Sequence, residues 1–151
     1  MTLYDLIKYV HVLAAITAVG LNLSYGVWLA VSDRGPEHRV FVLRTIKRLD
    51  DWLANPAYIL LLLSGLGMVW VGSLSLATTW IAVALALYVV LVVLGLGVFS
   101  RSLSRQISVL ESGSVDAAAY GAIARRTTVS GAILVVIALV IVFLMVVKPG
   151  A

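Results

Sequence analysis

Lys8-Tyr9-Val10-His11 places a lysine and a histidine one helical turn apart inside an otherwise apolar N-terminal run. An imidazole there is a candidate ligand, and the ammonium a candidate counter-charge for an anionic group; the competing readings are a neutral, hydrogen-bonded histidine and a lysine that snorkels to the headgroups. With about 1.5 Å of rise per residue, His11 lies roughly 12 Å below the end where the chain starts. Positions 4, 8, 11, 15, 18, 22, 25 and 29 fall on one helix face and read Tyr4, Lys8, His11, Ala15, Ala18, Asn22, Tyr25 and Leu29. Lipid cannot hydrogen-bond these polar groups, so the stripe is expected to face the interior of a bundle. Thr17, Gly20 and Ser24 on the opposite face are small residues suited to close helix packing.

The same count, taken inward from the other helix ends, brings Ser64, Gly65 and Gly67 of a second span, Tyr88 of a third and Leu139 of a fourth to the level of His11. Glycines there admit a flat ligand or a neighbouring backbone, and Tyr88 is placed to orient the imidazole. Gly95 and Gly97 read as ordinary close helix packing, and His38, in a basic loop, as a solvated side chain.

Lys8-Tyr9-Val10-His11-Val12-Leu13-Ala14-Ala15 with Gly20, Asn55-Pro56-Ala57 leading to Ser64-Gly65-Leu66, and the ending Met145-Val146-Val147-Lys148-Pro149 resemble a DUF-type family of predicted bacterial integral membrane proteins, over nearly the whole chain. That family is in turn similar to the HemJ-type protoporphyrinogen oxidases and the CopD-type copper-resistance proteins. The resemblance implies haem b as cofactor, with His11 as the iron ligand. The third-helix lysine of the HemJ type has no counterpart between Trp80 and Phe99, which speaks against that oxidase activity.

The elements that must position these residues are apolar spans. At 62% hydrophobic against 12% charged residues, the chain carries more apolar surface than one soluble core buries, and bilayer lipid is its natural solvent. Four stretches, at about 3–31, 56–71, 80–99 and 127–147, approach or exceed the ~20 residues that cross ~30 Å of hydrocarbon. The expected fold is an all-α bundle of four transmembrane helices in one domain, both termini outside.

Between the spans, Val40, Leu43, Ile46 and Leu49 recur at helical spacing among basic residues and predict a short amphipathic helix on the membrane surface. Asn55 is then expected to cap the second span with Pro56 in its first turn. Residues 72–79 form an uncharged turn flanked by Trp70 and Trp80 as interfacial anchors. The stripe Phe99, Leu103, Ile107 and Leu110, with Arg101, Arg105 and Glu111 on the wet side, extends the third helix into the cytoplasm. Gly113 is expected to end it, and Ser114 to cap a returning helix from Val115 into the fourth span.

Nine of the eleven basic residues fall in the first and third loops. This positive-inside pattern accounts for the net charge of +4 without nucleic acid, puts those loops in the cytoplasm, and suits a multi-pass protein of the bacterial inner membrane. The absence of cysteine excludes disulfides, thiolate metal sites and cysteine nucleophiles. The spans hold no paired carboxylates, and the chain no hydrolase-like triad and no phosphate-binding loop. Three functional readings remain: a haem-b redox protein with Lys8, His11, Gly65 and Tyr88 at its site; an accessory subunit of a larger membrane complex or homo-oligomer; and a CopD-like transporter, for which Met1, Met68 and Met145 supply little soft-metal ligation.

Overall fold

The structure, a computed structural model, describes residues 1–32, 35–113 and 116–149. Helix α1 spans Leu3–Ser32 and α2 Pro36–Leu49; a π-helical turn, Asp50–Ala54, joins α2 to α3, Asn55–Val71. Helix α4 spans Thr79–Leu94, a second π-helical turn covers Gly95–Phe99, and α5 and α6 span Ser100–Glu111 and Ala117–Val147. The chain thus makes four long rods, α1, α2–α3, α4–α5 and α6, each long and apolar enough to cross a membrane. Both termini lie at one end of the bundle and the basic segments at the other.

The start of α1 is fixed by a reciprocal cap: the Asp5 N–H donates to Thr2 Oγ1 at 3.2 Å, and the Thr2 N–H to Asp5 Oδ2 at 2.9 Å. Rods α1 and α3 pack along each other, α4 packs on α6, and α1 on α6; α2 and α5 close the basic end. Consecutive α3 and α4 are not among these packed pairs.

The two ends are held by different forces. Towards the termini, small residues on α1 and α4, Ala14, Ala18 and Ala84, are buried while Ile16, Leu63 and Val136 point outward. Lipid gives apolar side chains no reason to leave it, so close approach of small residues does the packing there. At the basic end, Leu43, Ile46, Leu103 and Thr127 are fully buried and Val42 and Phe99 nearly so, as in a water-soluble core. An ion pair, Arg44 Nη2 to Glu111 Oε1 at 2.6 Å, ties α2 to α5 across that end.

The four spans and the amphipathic α5 stand as the sequence predicts, with Phe99 and Leu103 buried and Arg101, Arg105 and Glu111 exposed. Gly113 follows the end of α5 at φ +67°, the left-handed turn a glycine accepts without strain. Ser114, Val115 and Arg34 lie outside the described residues; Asp116 caps α6, its carboxylate accepting from the Ala118 N–H at 3.0 Å.

Four expectations are corrected. The amphipathic segment does not lie on the membrane surface as a separate helix: its apolar face fills the basic-end core, and it runs unbroken into the second span. Asn55 therefore caps nothing, because Ala54 before it is already helical at φ −68°, ψ −49°. Pro56 is accommodated because it follows a π-helical turn, where the Asn55 N–H reaches back five residues to the Asp50 carbonyl. Trp80 is buried, its ring under the Lys148 ammonium at 5.5 Å, so Trp70 alone of the pair is exposed. Finally, a Cβ at Gly20, Gly95 or Gly97 would have nothing within 4 Å, so none of the three serves packing within this chain.

Candidate functional site

Two polar sites lie between the helices. The first is the seam of α1 and α3 near the termini. His11 Nδ1 is 2.9 Å from Ser64 Oγ, and that hydroxyl donates its one proton to the Leu60 carbonyl. With its proton on the Leu60 carbonyl the hydroxyl is an acceptor for His11, the arrangement that goes with a neutral Nδ1–H imidazole whose lone pair is on Nε2. The ring also lies within hydrogen-bond reach of the Leu61 backbone.

Gly65 explains how the ring gets so close. A Cβ there would stand 3.2 Å from His11 Cε1, so the imidazole edge occupies the space that a side chain would take. Two residues on, a Cβ at Gly67 would touch Ile7 at 3.6 Å. The glycines let α1 and its side chains settle onto α3; Gly65 receives the imidazole itself, not a separate flat ligand. Lys8, on the stripe one turn nearer the terminus, is exposed.

Tyr88 does not join this group. Its hydroxyl donates to the Tyr58 carbonyl at 2.8 Å, and its ring meets that of Tyr58 edge-on at 6.5 Å between centroids. Counting rise along α4 put it level with His11, whereas its side chain reaches across to α3 at a level nearer the basic end. Leu139 is exposed. His38 is exposed and lies 3.7 Å from Glu37, as a solvated residue would.

Tyr88 belongs instead to the second site, a cavity of about 200 Å³ between α3 and α4. Its polar lining is Asn22 of α1, Asp50 of the first π-helical turn, Asn55 and Tyr58 of α3, and Tyr88 of α4. Gly95 and Phe99, the ends of the second π-helical turn, complete it from the other side. The Asn22 amide donates to the Tyr58 hydroxyl. Asp50 is only 7% exposed although it carries an ionisable carboxyl.

Asn22 and Tyr25 were on the polar stripe of α1, but Asp50 and Tyr58 had no visible signal. Asp50 reads as one more charge in a charged loop, and no side-chain pattern announces a π-helical turn. The stripe itself is inward as expected at Ala18, Asn22 and Tyr25, all buried. Among the described residues, no three His, Cys, Asp or Glu side chains gather into a metal-binding cluster.

Over residues 5–149 the chain matches the family described as "Predicted integral membrane protein (DUF2269)". No curated protein and no solved structure matches it.

Proposed function

We propose a function inside the bilayer, starting from the premise that the chain belongs to this family of predicted integral membrane proteins: it holds haem b through His11 and serves membrane redox chemistry near the outer face of a bacterial inner membrane. The observation that carries this reading is the contact of His11 Nδ1 with Ser64 Oγ at 2.9 Å. An imidazole whose Nδ1–H is held by a neighbouring acceptor presents Nε2 as a ligand nitrogen, the arrangement that orients histidine at metal centres.

The fit extends to one axial ligand. His11 Nε2 would bind the iron, Ser64 would hold the ring, and Lys8 would pair with a propionate at the membrane surface. Bound there, haem supplies one-electron exchange. Gly65 serves by seating the imidazole, and Tyr88 takes no part. This chain would supply one iron ligand, His11, and any second would come from another chain.

The test is an absorption spectrum of the detergent-purified protein from haem-replete cells, oxidised and reduced. A Soret band lost in His11→Ala supports the reading; wild-type protein without one removes it.

One observation favours a second reading. The imidazole edge fills the gap at Gly65, which is what a purely structural histidine in a helix seam would do. The protein is then an accessory subunit of a larger membrane complex, and His11→Ala lowers stability with no spectral consequence.

A further inference from the structure

We propose that the cavity between α3 and α4 binds a small organic ammonium ion. Neither the haem reading nor the accessory reading uses this site, and it stands independently of both.

The one formal charge of the lining, on Asp50, sets the sign of the ligand. Tyr88 has given its proton to the Tyr58 carbonyl, and Asn22 has given an amide proton to the Tyr58 hydroxyl. The Asn22 carbonyl oxygen and the Asp50 carboxyl remain as acceptors, beside the Tyr58 hydroxyl and the Asn55 amide as donors. Asp50 is the only lining residue with a formal charge. Lys47, one turn away, is paired with Asp51. The Asn55 amide donates to the Asp50 carboxyl, but a buried carboxyl whose nearest cation is already paired elsewhere marks a place where a cation is brought in from outside.

A second, separate observation points the same way. Tyr25 is 2% exposed and its hydroxyl has no hydrogen-bond partner. Its ring stacks on that of Phe99, a lining residue, at 6.0 Å and 7° between planes. Orphaned polar groups at such depth are rare, and a ligand that comes and goes is one reason to keep one.

Size and wall chemistry decide which cation. About 200 Å³ is the share of roughly six or seven waters, far more than a bare metal ion fills. One carboxyl is also too few charges for a divalent ion site of its own. The remaining walls are the aromatic faces of Tyr58, Tyr88 and Phe99 and aliphatic side chains such as Leu91 and Leu134. Aromatic faces beside a carboxylate hold an ammonium by cation–π attraction and a charge-assisted hydrogen bond, while the aliphatic walls take a short hydrocarbon body. The two π-helical turns build the space: one brings Asp50 to the lining, and the other starts at Gly95, where no side chain intrudes. The ligand's amine belongs either to a soluble compound or to a lipid headgroup entering between α3 and α4.

The test uses the full chain in nanodiscs of phosphatidylglycerol, which carries no amine, with n-butylammonium chloride as probe and n-butanol and potassium chloride as controls. Butylammonium should raise the unfolding temperature saturably, and neither control should. Asp50→Asn should weaken the probe at least tenfold and Tyr25→Phe about threefold. Gly95→Leu, which fills the cavity while leaving Asp50 in place, should also weaken it tenfold and guards against an Asp50→Asn protein that fails to fold. Replacing half the lipid with phosphatidylethanolamine separates the sources: a tenfold rise in the probe concentration needed identifies a lipid headgroup as occupant, and no change identifies a soluble amine. Equal stabilisation by butanol or potassium, or undiminished probe affinity in Gly95→Leu or in folded Asp50→Asn, overturns the proposal.

Discussion

The Tyr88 hydroxyl donates to the Tyr58 carbonyl at 2.8 Å, and this bond, with the edge contact of the two rings, links α3 to α4 where their backbones do not pack. Tyr88→Phe removes the bond and keeps the ring. It should lower stability by about 1 kcal/mol, the usual net worth of one hydrogen bond, and Tyr88→Ala by about 3 kcal/mol. Unfolding in mixed micelles measures both, and equal losses would show that the hydroxyl contributes nothing.

Ser64→Ala leaves His11 in place but frees the ring to rotate and change tautomer. If the haem reading holds, haem affinity should fall about tenfold to a hundredfold, as for other groups that orient a metal ligand. Titration of apoprotein with haem reads this directly; unchanged affinity would leave Ser64 a role in helix packing alone.

Three glycines should respond differently to alanine. At Gly95 a Cβ has open space, so the change should stabilise the protein by about 0.5–1 kcal/mol through helix propensity. At Gly65 and Gly131 it stands 3.2 Å from the His11 ring and the Phe99 ring respectively, and each should lose about 1 kcal/mol or more as the rings give way. Thermal unfolding of the three variants compares them, and a shared sign would contradict these environments.

Asp50→Asn should leave stability unchanged or raise it by about 1 kcal/mol, because it removes a buried carboxyl whose desolvation outweighs the pull of Lys47 and the hydrogen bond from Asn55. Denaturation of the ligand-free protein checks this; a loss of 2 kcal/mol or more would mean that the carboxylate holds the fold together.

Reporters fused after Pro149 should be active only outside the cytoplasm, as the placement of the basic loops requires. A cytoplasmic C-terminus would invert the bundle and move His11 to the inner leaflet.

The sequence made legible whatever depends on straight periodicity. The spans and the wet and dry faces of α5 follow from composition and a period of 3.6, and Ser64 and Gly65 lie beside His11 because two straight helices share one seam. Legibility failed where the period changes. The π-helical turn at Asp50–Ala54 makes one rod of what read as two elements and hides the carboxyl that lines the cavity. A count of rise also carries no azimuth, and it put Tyr88 level with His11 although its side chain reaches Tyr58 nearer the basic end.

The division between an end packed by small residues and an end with a water-excluding core has a calorimetric meaning. Contacts made in lipid exchange one apolar surround for another and contribute little to the heat capacity of unfolding, whereas releasing Leu43, Ile46 and Leu103 into water contributes a positive increment. The basic end should therefore be the part of this protein that weakens in the cold and yields first to urea in the aqueous phase, while the spans persist as helices in the bilayer.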